Sequence, residues 1–540
     1  MVGEWRLAMD NSPVYLRHGI QVEPLFDQWY AWSHLIPPAT AARNLTERHL
    51  KIMDSYITNP QVHANAVKNP KLLGGPFIDC GGKRLDEISS LRNRTTRQRS
   101  NLIDLSAAIA LLDEILRTSA HGSSLEPLYA SVPDILKGYS ELTYDLNNNP
   151  SFRLIEALLY KSPYYDRSAQ SLALSVATGD HRPFVLSTPR LESDSLFQFR
   201  VPFDEPRIDL LFRMKSISSP WGLIKDLLNI PKESERLVRS FFTPDLPEPG
   251  YCYDGQGTRW RYFGHACVLV EMPGCSLLFD PFLSYAYRSE TPRFTYADLP
   301  DSIDYVVITH SHQDHLLFES LLQIRHKVKN FIVPSGSGGR LQDPSLKLIL
   351  EHIGFQNVLE LNEMETIRWE GGSITALPFL GEHSDLQITS KAAYVVRMGK
   401  RLLMFAADSC NVEPALYQHI HREIGDVDTL FLGMECDGAP LSWLYGPLLT
   451  KSIERAADQS RRLSGSNFEQ AFNLVQQLNC RAVFVYAMGL EPWLTHIMSL
   501  QYTDQSRPMV ESDRLIRECM SRGIQAERLY GKKEEFLDHV

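Results

Sequence analysis

The chain has 540 residues, with 55 Lys and Arg against 65 Asp and Glu, a net charge of −10. At 43% apolar residues it is rich enough for more than one core, since single cores stop growing near roughly 250–300 residues, and disorder along the whole chain is excluded. With no basic excess, a nucleic acid is not expected as main partner, because polyphosphate binding is carried by Lys and Arg.

No run approaches about 18 consecutive apolar residues, so no membrane span is expected. The first residues, MVGEWRLAMDNSPVYL, carry Glu4 and Asp10 and lack an apolar stretch, so no signal peptide is read and a cytoplasmic location is expected. The eight cysteines form no CxxC pair. They read mostly as small buried apolar residues rather than a disulfide framework or zinc knuckle.

The first half reads as mixed helix and strand. Apolar spacing predicts helices over 40–58, 101–119 and 124–145, the last two forming a helical hairpin around a Gly-Ser break. Within 181–215 the stretches PFVLSTP, LFQFRVPF and RIDLLFRM predict short strands. Residues 242–258, dense in Pro, Gly and Asp, mark a joint between domains at 1–245 and 255–540.

The second half predicts strands at 260–263, 266–271, 277–279, 305–309, 331–333, 373–377, 392–398, 401–406, 429–432 and 482–486. Helices are predicted from about Leu316 and over 347–352. Hairpin strands followed by strands separated by helices imply a layered α+β sandwich.

The most informative segment is His310-Ser311-His312-Gln313-Asp314-His315, which follows an apolar strand. Four potential metal ligands within six residues, on a loop at a strand end, are held by the sheet yet open to solvent. His310 and His312 can grip one ion. Asp314 and His315 can serve a second, and a bridging anion is then needed. Glu382-His383, Asp408 and Glu435 each lie just past an apolar run, and strand ends of this kind gather on one edge of a sheet layer.

The HxHxDH loop, preceded by Gly264-His265 and Asp280-Pro281, resembles the metallo-β-lactamase fold. That resemblance implies an αββα sandwich with a dinuclear site, in which Asp408 bridges and Asp280 steadies a ligand. Two departures stand out. Glu382 and His383 compete for the place usually held by a third His, and no late histidine occurs in Val483–Gly489. His496 comes later. Mixed imidazole and carboxylate ligation suits non-haem iron and oxygen, though zinc binds carboxylates too.

With these departures the whole chain resembles the dinuclear-iron β-hydroxylases of the chloramphenicol-pathway type, which carry a long N-terminal domain ahead of a metallo-β-lactamase domain. The resemblance implies His310, His312, Asp314, His315, Glu382 and Asp408 as metal ligands, with Glu435 near the open face of the second iron. It implies two iron ions, O2, and an external electron donor. The substrate would be an aminoacyl thioester on the carrier domain of a nonribosomal peptide synthetase, in antibiotic biosynthesis, and the enzyme a homodimer. A dinuclear zinc hydrolase of the same fold, acting on an ester, lactone or phosphoester, is the alternative.

Other features read more plainly. Cys410 fits a buried neutral thiol, His265 an outer or packing histidine, and His419 and His421 surface residues. Trp443, Tyr445 and Trp493 are placed on loops, where they either wall a substrate channel or pack in the core. The cluster Arg92, Arg94, Arg97 and Arg99 is either a solvated face or a patch that steers an acidic carrier. Gly336-Ser337-Gly338-Gly339 lacks dinucleotide-binding spacing and is read as a loop.

Overall fold

The computed structural model describes residues 12–336 and 338–537, so the N-terminal reading of Glu4 and Asp10 lies outside them. In the first half, the strand Ile20–Phe26 is buried at every position and pairs with Gln170–Val176, which pairs in turn with Phe197–Arg200. The helical stretch Pro38–Asn44 continues through a wider π turn, Leu45–Leu50, into Lys51–Thr58. The helix Ser100–Ser119 buries Leu102, Leu105, Ile109, Leu112 and Leu116, the three- and four-residue spacing that made it legible.

Two expectations in this half fail. Residues 124–145 form no helix. They form two 3-10 turns, Glu126–Ser131 and Asp134–Leu136, and then the strand Ser140–Tyr144. Pro127 and Pro133 each remove an amide donor, and Gly138 takes φ +78°, so the apolar spacing there has no helical ladder to ride on. Of the three strands predicted in 181–215, only Phe197–Arg200 forms. Residues 185–187 turn, and Pro206–Arg213 is a helix with Pro in its first turn and Ile208, Leu211 and Phe212 buried.

The second half is the expected α/β/β/α sandwich. One seven-stranded sheet runs in the order Val358–Leu361, Val328–Pro334, Ile303–Val307, Cys275–Phe279, Cys267–Met272, Arg259–Gly264, Lys533–Phe536. The other runs Thr366–Trp369, Gly372–Leu377, Ala393–Met398, Arg401–Phe405, Thr429–Gly433, Ala482–Tyr486, Gln525–Arg528. Alternate residues such as Val268, Val270, Leu277 and Phe279 meet Tyr394, Phe405 and Phe431 between the sheets. The helices Pro414–Ile424, Phe468–Gln477 and Arg507–Ser521 cover the second sheet.

The outer face of the first sheet is covered by its own helices and by the N-terminal half. Leu278, Val306 and Phe331 belong to the same apolar cluster as Phe212 and Trp221. Buried ion pairs cross the same boundary. Arg182 meets Glu319 on the helix Phe318–Ile324 at 2.9 Å and also pairs with Glu23 on the strand Ile20–Phe26. The 244–258 segment is irregular, as its composition implied, but the two halves it joins share one core. No helix among the described residues is long and apolar enough to cross a membrane. All eight cysteines are free, and six of them are buried.

Candidate metal centre

The site is built on strand ends. Beyond Ile303–Val307, Thr309 donates its backbone N–H to Asp280 Oδ1 at 2.8 Å and its hydroxyl to Asp280 Oδ2 at 2.6 Å. Asp280 follows the neighbouring strand Cys275–Phe279, so two strands fix the start of the ligand loop. The same Oδ2 lies 2.8 Å from His315 Nδ1, which turns Nε2 of that ring toward Asp408 Oδ2 at 3.1 Å. Asp280 therefore steadies a candidate ligand, as outer carboxylates commonly do.

His312 is held from both sides. Its Nε2 is 2.8 Å from the Tyr445 hydroxyl and its Nδ1 is 2.7 Å from Glu382 Oε1. Glu382 sits in a tight turn after Gly372–Leu377. A Cβ on Gly381 would stand 2.4 Å from that of Cys410, so only glycine brings the turn this close. His265, Asp280, Glu382 and Ala407 all take positive φ without being glycine, which places backbone strain around the site.

Three groups of potential ligand atoms converge, each within 4.8 Å: His310 with His312 and Glu382; His310 with His315 and Asp408; His265 with Asp314 and His315. All six predicted ligands fall in these groups. His383 falls in none: its ring stacks on His312 with centroids 4.6 Å apart, and its Nδ1 lies 2.7 Å from Glu382 Oε2 without hydrogen-bond alignment. His496 is buried beside Phe282 and Tyr30, outside the groups. Cys410 also stays outside them, its thiol pushed up to about 11 by burial.

The donor set fits a pair of metal ions. His310 Nε2, Glu382 Oε2 and Asp408 Oδ1 are buried without hydrogen-bond partners, and buried polar atoms of this kind call for one. His310 Nε2 lies 3.9 Å from Glu382 Oε2 and 4.0 Å from Asp408 Oδ2, too far for hydrogen bonds but spaced around a common point. Burial and then the His315 and His312 rings hold His310 well below the ordinary imidazole range, in its ligating neutral form. Burial opposes ionisation of Glu382, but His312 and His383 outweigh it and hold the carboxyl at about 2.

Glu435, beyond the strand Thr429–Gly433, lines a cavity of about 390 Å³ together with His312, Asp314, Glu382 and Asp408. Burial pushes its carboxyl up to about 8, and the Tyr502 hydroxyl donates to its Oε1 at 3.1 Å. Tyr445 and Tyr502 were not singled out as partners of site residues. Neither sits in a motif, and they meet their partners 133 and 67 residues away.

Trp443 and Tyr445 lie on the short helix Leu441–Tyr445 and Trp493 on a 3-10 turn, rather than on loops. The C-terminal Pro-flanked segments are too short to show helical spacing in the sequence. Trp443 lines the cavity, whereas Trp493 is buried against Gly264 with Arg293 over its ring. His265 lies 3.1 Å from Asp314 through Nε2.

Residues 15–246 match the family described as the diiron non-heme beta-hydroxylase N-terminal domain, and residues 276–479 match the beta-lactamase superfamily domain. The chain is 41% identical over 531 residues to the 4-amino-L-phenylalanyl-CmlP-peptidyl-carrier-protein 3-hydroxylase of Streptomyces venezuelae, covering 95% of this chain and 98% of the relative. The chain belongs to the diiron β-hydroxylase family. The crystal structure of CmlA, a diiron beta-hydroxylase from Streptomyces venezuelae, superposes with a TM-score of 0.91 at 40% identity, covering 98% of this chain and all of that one. An N-acyl-phosphatidylethanolamine-hydrolyzing phospholipase D 1 of Caenorhabditis elegans is 28% identical over only 37% of the chain and 60% of its own length.

Membership in the β-hydroxylase family gives the chain two iron ions as cofactor and O2 as oxidant. It also sets aside the zinc hydrolase, because the match to a hydroxylase covers 95% of the chain and the diiron hydroxylase N-terminal domain matches residues 15–246.

Proposed function

We propose that the chain hydroxylates the β-carbon of an aminoacyl group, an aromatic one, carried as a thioester on the carrier domain of a nonribosomal peptide synthetase in antibiotic biosynthesis. The single observation that carries this reading is the 95% coverage at 41% identity to a hydroxylase named for such a carrier-bound substrate. The convergence of His310 and His312 with a carboxylate rather than with His383 supports iron ligation. His310, His312 and Glu382 would hold one iron, Asp314 and His315 the other, and Asp408 would lie between them. The iron pair, when bound, would supply the activation of O2, of which one atom enters the C–H bond and the other leaves as water with two electrons from an external donor and two protons.

The rest of the chemistry falls to the chain. Asp280 and Tyr445 fix the rings of His315 and His312, and His265 steadies the Asp314 carboxylate. Glu435, whose carboxyl burial pushes up and whose Oε1 accepts the Tyr502 hydroxyl, stands in the wall of the cavity that Asp408 also lines, a position suited to passing a proton.

The chain would divide into domains at 1–245 and 255–540. Lys71, Leu73 and Gly74 line the metal cavity, which supports a role for the first domain in shaping the substrate entrance. A cytoplasmic location fits an enzyme that meets a synthetase. A homodimer contact through the N-terminal helices is also proposed, and Leu111, half exposed on Ser100–Ser119, is an apolar feature available for it.

Incubating iron-loaded protein with aminoacyl-loaded carrier, O2 and reductant should add the mass of one oxygen to the aminoacyl group, labelled when 18O2 is used. Cleavage of an ester without O2 or reductant, and no oxygen incorporation, would overturn the reading.

A further inference from the structure

The metal cavity has a neighbour. Gly74, Pro440 and Trp443 line both it and a second cavity of about 540 Å³ between the N-terminal half and the helix Leu441–Tyr445. Trp443 donates its indole N–H to the Gly74 carbonyl at 3.0 Å, and a Cβ on Gly74, at φ +71°, would stand 3.2 Å from that nitrogen. These two residues form the sill between the cavities. The walls of the second cavity are largely apolar, with Ile52, Phe77, Phe184 and Pro447 among them.

Its charged residues are Glu47, Arg48 and Lys51. Glu47 is already taken, by Lys51 at 2.5 Å and Arg43 at 3.5 Å. Arg48 is different. Its Nη2 donates to the carbonyls of Trp443 at 2.6 Å and Leu444 at 3.3 Å, but its Nη1 is buried and has no partner. The neighbouring His34 and His49 rings are buried and neutral, and burial, with no carboxylate to oppose it, lowers the Arg48 guanidinium from its ordinary range. An uncompensated guanidinium beside apolar walls is costly, and in a protein of net charge −10 it marks a place for an anion.

Building on the carrier-bound reading, we propose that this groove takes the phosphopantetheine arm of the carrier domain. Arg48 meets the phosphodiester, the apolar walls take the dimethyl-bearing chain, and the thioester passes over Gly74 and Trp443 into the metal cavity. A phosphate suits a guanidinium with a free N–H edge, and the apolar chain that follows it suits the wall. Within the cluster at Arg92–Arg99, two arginines are already paired: Arg99 is buried against Asp27 and Asp166, and Arg92 meets Asp54. Arg48 is then a substrate-binding residue for the proposed reaction, at the far end of the substrate from the irons.

The test uses two free thioesters of the same amino acid, one on phosphopantetheine and one on pantetheine, with the iron-loaded enzyme. Wild type should prefer the phosphorylated thioester in kcat/KM by roughly tenfold, a typical effect of one charge-assisted contact. Arg48→Gln should bring the preference close to one with iron content unchanged. A purely structural role for Arg48, through its bonds to the Trp443 and Leu444 carbonyls, would lower both thioesters alike and leave the preference intact, which overturns the proposal.

A second measurement needs no variant: phosphopantetheine should compete with loaded carrier on wild type more strongly than pantetheine, and equal competition overturns the proposal. If wild type hydroxylates loaded carrier but shows no phosphate preference, this inference alone fails. If it does not hydroxylate loaded carrier, the functional reading fails with it.

Discussion

The Tyr445 hydroxyl stands 2.8 Å from Nε2 of His312, and Nδ1 of the same ring faces Glu382 at 2.7 Å. The tyrosine thus selects which nitrogen of a candidate ligand points into the site. Partners of this kind commonly change metal affinity about 10–100-fold when removed. Tyr445→Phe keeps the ring that packs in the core and loses only the oxygen. It is expected to weaken iron binding by about tenfold with a nearly unchanged melting temperature. Iron titration of metal-free protein checks this, and an unaltered affinity would remove Tyr445 from the site.

Glu382 and His383 are adjacent, both are buried, and only one converges with His310 and His312. The Glu382→Ala variant should lose about half of its iron and all hydroxylation, because one ion of the pair loses its only carboxylate of this group. His383→Ala should keep both irons, as that ring stacks on His312 and joins none of the three converging groups of ligand atoms. Elemental analysis of the two variants side by side decides the point. The reverse pattern would transfer the ligand role to His383.

The ligand loop was legible because its four residues are contiguous and end a strand whose apolar run is unmistakable. Asp408 and Glu435 were legible for the same reason, each lying just past a strand. The choice between Glu382 and His383 was not legible, since adjacent residues share every local signal. The tight turn at Gly381, pressed under Cys410, is what sets Glu382 beside His310 and His312. Tyr445 and Arg48 carry no local signal either, because their roles arise where the two halves of the chain pack. The helix misread at 124–145 shows the opposite hazard: apolar spacing survives where Pro127 and Pro133 have removed the backbone bonds that would express it.

Arg182 joins the two halves by pairing with Glu23 and with Glu319, both nearly fully buried. Glu319 also accepts hydrogen bonds from Tyr30 and Tyr285. Removing one partner of a buried pair strands the other charges, which typically costs about 3–5 kcal/mol. Arg182→Met should therefore lower unfolding stability by about that amount while leaving the ligand residues in place. Urea unfolding followed by tryptophan fluorescence measures it. A loss under about 1 kcal/mol would mean that Arg190, which also pairs with Glu23, carries the buried charge without Arg182.

Glu156 lies where the N-terminal half meets the helix Leu346–His352, and its Oε2 accepts the Ser345 N–H at 3.0 Å. Burial pushes its carboxyl up to about 7, against an ordinary value of 4.5, and the Ser345 bond only partly offsets this. The folded state therefore holds this proton through a pH range in which the unfolded chain has released it. Below about pH 4.5 both states are protonated and no penalty exists; as pH rises from there to about 7, stability falls, and above 7 the penalty is constant. The contribution amounts to about 1–3 kcal/mol. Glu156→Gln is neutral at every pH, so it should match wild type near pH 5 and exceed it by that margin near pH 8. Paired urea midpoints at the two pH values provide the check, and an equal difference at both would show that this carboxyl ionises normally in the folded protein.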